Sequence, residues 1–530
     1  MTGQYKNCTY AVLSLLLLII AGCTSLPVNP DRKQSTVITA TTETGLGQSV
    51  ARLTADKGNT SGFSPLIDGL DAFAARVVLT RSAERSVDVQ YYIWHQDEVG
   101  SLLAAELIKA AERGVRVRVL IDDVGLGAPD AGLLSVDAHP NIEIRLFNPV
   151  VNRGWRMLES AFSFSRINRR MHNKSFTADN QVTIVGGRNV GNEYYDADPD
   201  VNFSDFDVLA VGPVVSEVSG SFDKYWNSDF SIPVSEIITA TATPIDEVVG
   251  NIFDNEKARK NSPYVKAVKD SDFVDHIKNG TLPLFWGEAH VVYDEPEKLQ
   301  QSSTNKENHL LTKLNPLVGD VQNEIIIISP YFIPGKDGVA DIADLIKQGV
   351  SIKILTNSLA STDVGVVYGG YSKYRIPLLV AGAELYEAKP DPRIKRKPKK
   401  KTKTHFGSSS RSSLHSKVYT FDGEKVFVGS LNLDPRSVDI NTEIGILFEN
   451  KEFAEQISAW WDREITIHAY QLNLEIEEID DDWEVKKVKS LVWLEHTDQG
   501  VTQHIVEPQV GFWRRVGVSF LAILPIESQL

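Results

Sequence analysis

Cysteine is nearly absent from this chain: its 530 residues hold two, Cys8 and Cys23. The first lies in a leader expected to be removed and the second at its cleavage point. No intrachain disulfide is therefore expected, and stability has to come from the core. Metal-binding spacings are missing too, since none of the eleven His forms an H-x3-H pair and there is no C-x2-C. That argues against zinc-assisted hydrolysis, and no cofactor is expected. A spanning helix is missing: the apolar run Tyr10 to Ile20 is shorter than the ~20 residues needed to cross a bilayer. An excess of positive charge is missing as well. With 55 basic against 70 acidic residues the net charge is -15, which opposes a nucleic-acid backbone as partner.

What the chain has is a duplication. His172-Asn173-Lys174 with Asp179 and His415-Ser416-Lys417 with Asp422 repeat the pattern H-x-K-x4-D, and each Asp is followed by a second cluster, Gly186-Gly187-Arg188-Asn189 and Gly429-Ser430-Leu431-Asn432. The flanking sequence repeats as well. Val87 to Ile93, the helical Leu107 to Ala111 ending at Gly114, Val115 to Ile121 and Ile142 to Phe147 are answered by Ile325 to Tyr331, Leu345 to Gly349, Val350 to Leu355 and Ala383 to Tyr386. Apolar β-branched runs alternating with helices that stop at Gly predict βαβ units on a largely parallel sheet. Two copies of one reactive triplet predict a single site between two similar lobes.

Two imidazoles and two ammonium groups offer a nucleophile, a proton donor for a leaving oxygen and positive charge for a developing anion. One imidazole can attack an electrophilic centre to form a covalent intermediate, and the other can hand its proton to the departing alkoxide. Lys174 and Lys417, two residues from their His, fall on the same strand face. With Asn189 and Asn432 they are expected to hold the developing negative charge. Asp179 and Asp422 belong to the motif, but their spacing suits a turn between two strands, so they are expected to shape the site rather than react.

These motifs, with their G-[GS]-x-N tails, resemble the phospholipase D superfamily over roughly residues 60 to 470. More narrowly, Gln90-Tyr91-Tyr92-Ile93-Trp94, the run Ser408 to Ser413 and the ending Leu521 to Ile526 resemble bacterial cardiolipin synthases of the C type. The resemblance implies an α/β fold: two similar lobes of mixed sheets flanked by helices, with the active site at a pseudo-twofold interface. It implies His172 as nucleophile and His415 as general acid and base. Glu443 falls where the family keeps a carboxylate supporting the second His, and Asp205 in the corresponding place after the first. The implied activity is phosphatidyl transfer between phospholipids, forming cardiolipin through a phosphohistidine. A hydrolytic phospholipase D uses the same catalytic residues, and so does a nuclease of the superfamily; the acidic balance and lipid anchor count against the latter. The implied partners are membrane phospholipids, phosphatidylglycerol and phosphatidylethanolamine among them, with no nucleic acid; no protein partner is indicated.

Residues 1–22 read as a lipoprotein signal peptide. Ile20-Ala21-Gly22-Cys23 matches the bacterial lipobox, making Cys23 the lipidated residue, and Thr24 after it resembles lipoproteins sent to the outer membrane. A periplasm-facing, lipid-anchored enzyme is expected. Residues 23–59 read as a flexible tether, 60–250 as the first lobe, 251–279 as a helical linker, 280–470 as the second lobe and 471–530 as a C-terminal extension suited to a membrane interface or to covering the second lobe. A run of basic residues from Arg393 to Lys403 precedes the second motif, and its functional reading is attraction of anionic headgroups.

Overall fold

The computed structural model describes residues 26, 27, 29, 31–156, 159, 163–198, 201–241, 243–259, 261–301, 305–390, 412–481, 484–523 and 527–530. Residues 1–25, where the leader and Cys23 are expected to act, the basic run Arg393 to Lys403 and Ser408 to Arg411 lie outside them.

In the first lobe the strand Ser86–Trp94 leads to Asp97, whose carboxylate accepts from Gly100 N and caps the helix Glu98–Glu112. Gly114, at φ 92°, turns the chain back into the parallel strand Arg116–Leu126, with Val87 opposite Val117. Ile142–Phe147 extends the parallel set. On the other side, antiparallel, lie Ser175–Ala178, Val182–Gly186 and Asp207–Val211. The second lobe repeats this order strand for strand: Ile444–Glu449, Lys425–Gly429, Val418–Phe421, Glu324–Ile328, Ser351–Asn357 and Glu384–Ala388. Both sheets are mixed and flanked by helices, as expected.

The sheets meet through an apolar core that belongs to both lobes. Val185, Val208 and Ala210 pack in one cluster with Val418, Val426, Val428, Ile444 and Ile446, and the Phe63 and Phe448 rings stack at 4.4 Å. This interface brings the two motifs to one point.

Three segments sit differently from the sequence reading. Among the described residues, 31–59 are not a free tether. Ser35 N donates to Asn227 Oδ1, Val37 N donates to Asp223 Oδ2, and the Ser35 and Lys33 carbonyls accept from Arg118 and Arg145, after which Gly45–Thr54 forms a helix capped by Thr44. The buried guanidiniums need acceptors, and this polar segment supplies them. The linker is helical (Ile245–Arg259, Pro263–Lys269, Asp272–Asn279), but it docks on the first lobe, where Lys109 pairs with Glu256 at 2.6 Å and Phe273 N donates to Asp71. The second lobe does not stop at residue 470 either. Ala469–Asp481, Glu484–Thr497 and Gly500–His504 add three strands beyond Glu384–Ala388, giving a ten-stranded sheet. The helix Phe512–Ile523 then packs on Gly365–Ser372. Among the described residues no helix is long and apolar enough to cross a membrane.

Candidate active site

Each motif histidine is held by the opposite lobe. Met171, just before His172, pairs in parallel with Thr442, just before Glu443; Leu414, just before His415, pairs in parallel with Ser204, just before Asp205. His172 N donates to Thr442 O at 2.8 Å and His415 N to Ser204 O at 2.7 Å. These short ladders aim each carboxylate at the histidine across the interface. Glu443 Oε2 lies 2.8 Å from His172 Nδ1, and Asp205 Oδ2 is hydrogen-bonded to His415 Nδ1. The pairing expected from the sequence, each carboxylate serving the histidine of its own half, is thereby corrected. Each carboxylate stands at the end of an interior strand beside its own motif, and what meets it there is the other lobe.

The glycine pairs make room for this. A Cβ at Gly187 would fall 2.1 Å from Asp205 Oδ1. At the equivalent place in the second lobe stands Ser430, whose hydroxyl donates to Glu443. One repeat thus supplies space for its carboxylate and the other a hydrogen bond.

His172 and His415 keep 8 % and 7 % of their surface exposed, whereas Lys174, Lys417, Asp205 and Glu443 keep 2 % or less, so the histidines are the part of the cluster open to solvent. Burial holds His172 well below its ordinary value, and the charges of Lys174, Lys417 and His415 push it down further. His415 is lowered by burial and by Lys417, against the pull of Asp205. Burial brings Lys174 down to about 7 and Lys417 to about 8. Glu443 is pushed up to about 7, chiefly by burial. With Nδ1–H given to an ionised Glu443, His172 keeps a lone pair on Nε2, the atom required for attack. Lys174 Nζ donates to the His172 carbonyl at 2.6 Å and Lys417 Nζ to that of His415, and Lys417 Nζ also lies 3.1 Å from His415 Nδ1.

Asp179 and Asp422 stand apart from this cluster. Both adopt left-handed φ (49° and 53°). Asp179 accepts from the backbone N–H of Glu84, Arg85 and Ser86, and Asp422 from those of Gln322, Asn323 and Glu324. Each fastens the turn between its two motif strands to the first βαβ strand. Asn189 spends its amide on Ile93 N and the Tyr194 hydroxyl, which makes it a brace in this structure rather than a phosphate ligand. Asn432 Nδ2 donates to Ser437 Oγ at 3.3 Å, and its Oδ1 has no partner among the described residues.

Several site residues escaped sequence reasoning. Tyr92 presents an edge to His172 at 5.1 Å, and Tyr194 and Phe203 flank His415 at 5.3 and 5.4 Å. Arg170 forms a buried ion pair with Asp122, which also accepts from Met171 N and so braces the segment that carries His172 just ahead of the strand Ser175–Ala178. Tyr92 falls within the run Gln90 to Trp94; the others carry no spacing that marks them. Among the described residues one group could hold a metal ion, His95, Asp97 and Glu193, with ligand atoms within 4.8 Å of one another. Both Asp97 oxygens there already accept backbone N–H, from Gly100 and Asn192, and none of the three belongs to the histidine cluster.

The comparisons give the same two-lobed division. The family model described as "Cardiolipin synthase, PLD-like domain" matches residues 78–226 and 317–465, one copy in each lobe. Cardiolipin synthase C of Escherichia coli K12 is 39 % identical over 485 residues, 91 % of this chain and 99 % of that protein. An uncharacterised Helicobacter pylori protein is 33 % identical over 520 residues, 96 % of this chain and 98 % of its own. Among solved structures, the phosphatidylserine synthase of Haemophilus influenzae shares the fold, with a TM-score of 0.53 at 15 % identity, covering 80 % of this chain and 92 % of that one. With a matching domain in each lobe and a histidine motif in each domain, the chain belongs to the cardiolipin synthase family of the phospholipase D superfamily.

Proposed function

We propose that the protein transfers a phosphatidyl group from one phospholipid to another and so forms cardiolipin. His172 Nε2 attacks phosphorus; a P–N bond forms, the P–O bond to the leaving alcohol breaks, and His415 gives that oxygen its proton. The hydroxyl of an acceptor phosphatidylglycerol then loses its proton to His415, its oxygen attacks phosphorus, the P–N bond breaks, and His172 is restored. Lys174 and Lys417 balance the charge on the phosphoryl oxygens throughout. A phosphate arriving between the two motifs favours protonation of His415, offsetting the burial that lowers it.

The observation that carries this reading is the crossed pairing of each histidine with a carboxylate of the other lobe, which orients both imidazoles through Nδ1 and leaves Nε2 of each for attack or proton transfer; the assignment of attack to His172 rests on the family resemblance. The name of the E. coli relative supports the lipid product. Incubating the protein with labelled phosphatidylglycerol, with and without phosphatidylethanolamine, should yield labelled cardiolipin, and acid-labile label should remain on His172. Phosphatidic acid as the sole product would make the enzyme a hydrolase, and label on His415 would reverse the roles.

The proposed setting is the bacterial envelope, with the enzyme lipid-anchored through Cys23, facing the periplasm and bound to the outer membrane. The lipobox supports this. Replacing Cys23 with Ser should release the protein into the soluble fraction unless another surface also holds it to lipid.

A further inference from the structure

The helix Phe512–Ile523 has two apolar faces, and one of them is covered. Val518 packs inward on Gly365–Ser372, so closely that a Cβ at Gly369 would lie 3.3 Å from Val518 O and Ala522 N. The other face carries Phe512, Val516 and Phe520, one turn apart, with Trp513 beside them, and these side chains are 62 %, 44 %, 64 % and 81 % exposed. Ile505 and Val506, just before the helix, are exposed too. Scattered exposed apolar residues are ordinary, but an aligned stripe with a tryptophan marks a contact surface.

The stripe is wired to the rim of the active site at both ends. Arg514, on the helix, donates to Thr362 O at 3.0 Å. Thr362 lies in the loop that follows Asn357, and the Asn357 amide holds both N and O of Leu414, next to His415. Beyond the helix, Gln529 Oε1 accepts from Asn168, four residues before His172, and Leu530 O accepts from Arg436 N, four residues after Asn432.

We propose that this outward face docks on a phospholipid bilayer and holds the catalytic mouth against its substrate, an inference that rests on the phosphatidyl-transfer reading. A substrate confined to a bilayer must be met at the bilayer surface. Trp and Phe rings with Arg beside them suit the zone between headgroups and acyl chains. A second copy of the chain fits less well, because a stable dimer needs roughly 800 Å² per partner and four side chains on one helix supply much less.

The test uses the full chain reconstituted in phosphatidylglycerol vesicles with brominated acyl chains. Wild type should show tryptophan quenching that Trp513→Phe largely removes. The variant F512S/W513S/V516S/F520S should lose roughly tenfold in kcat/KM on vesicle-borne lipid, about 1.4 kcal/mol, while keeping its rate on a short-chain phosphatidylglycerol below its micelle concentration. Equal quenching in wild type and Trp513→Phe, with unchanged vesicle kinetics in the fourfold variant, would overturn the proposal. So would a wild-type dimer that the fourfold variant converts to monomer while Trp513 stays unquenched, since the occupant would then be a second copy. If wild type transferred nothing from either lipid, the functional reading would fail, and the quenching would still decide the docking.

Discussion

In the proposed mechanism Glu443 is the residue on which attack depends. Burial brings its carboxyl to about 7, and the ionised form, which can only accept, fixes the imidazole hydrogen on Nδ1 and leaves the Nε2 lone pair of His172 free. As pH falls through 7 the carboxyl takes a proton, donates it to Nδ1 and moves the imidazole hydrogen to Nε2. Hence kcat/KM should fall on the acid side near pH 7, well above the depressed value of His172 itself. Glu443→Gln should lower the rate about a hundredfold and abolish this limb. A limb that persisted in the variant would belong to another group. On the alkaline side Lys174 and Lys417 lose protons near 7 and 8. A bound phosphate keeps them charged, so this limb should appear in kcat/KM and recede in kcat. Crossing of the carboxylates makes a second expectation at this scale. With a p-nitrophenyl leaving group, which needs no proton, Asp205→Asn should spare the first burst of product whereas Glu443→Gln should suppress it. Equal bursts would contradict the assignment of His172 as nucleophile.

The strands and turns show what a repeat reveals and what it hides. The duplicated triplets and β-branched runs made both lobes legible, because strands and their order follow from local pattern. The partner of each carboxylate was not legible: His172 and Glu443 are 271 positions apart, and nothing in the spacing tells which lobe a side chain at a strand end will meet. The aspartates of the motif were legible as turn residues, and the structure adds what they hold. Asp179 is fully buried on three backbone N–H groups. Asp179→Ala leaves those donors unpaired and should destabilise the first lobe by roughly 3 kcal/mol or more. The folded fraction should keep kcat within a few-fold, as read from the urea midpoint and from the rate at low temperature. Gly187→Ala should do the reverse. Its methyl would displace Asp205, leaving the fold little changed while slowing turnover of lipids with poor leaving groups far more than that of a p-nitrophenyl diester. Equal slowing of both would assign Gly187 to the attack step.

At the scale of the whole molecule, both histidine–carboxylate pairs cross one interface, so the active site exists only while the lobes are in register. The polar segment 31–59 and residues 471–530 looked like appendages because neither carries the repeat. The first is bound through its backbone, which side-chain composition does not report; the second extends a sheet edge, which becomes visible only once Glu384–Ala388 is known to need a neighbour. The contact between lobes is apolar, with the Phe63 and Phe448 rings stacked inside it. Phe448→Ala removes that stack and leaves a cavity, a change that costs about 3–5 kcal/mol in a buried core. Each sheet retains its own ladder, while the two short parallel pairings, Met171 with Thr442 and Leu414 with Ser204, depend on the lobes staying together. In urea the variant should therefore lose activity at a lower concentration than it loses far-UV circular dichroism, and it should lose the attack and proton-transfer steps together. In wild type the two midpoints should lie closer. Coincident midpoints in the variant would mean that the lobes unfold as one unit, and loss of one step before the other would mean that the histidine–carboxylate pairs are held independently of the interface.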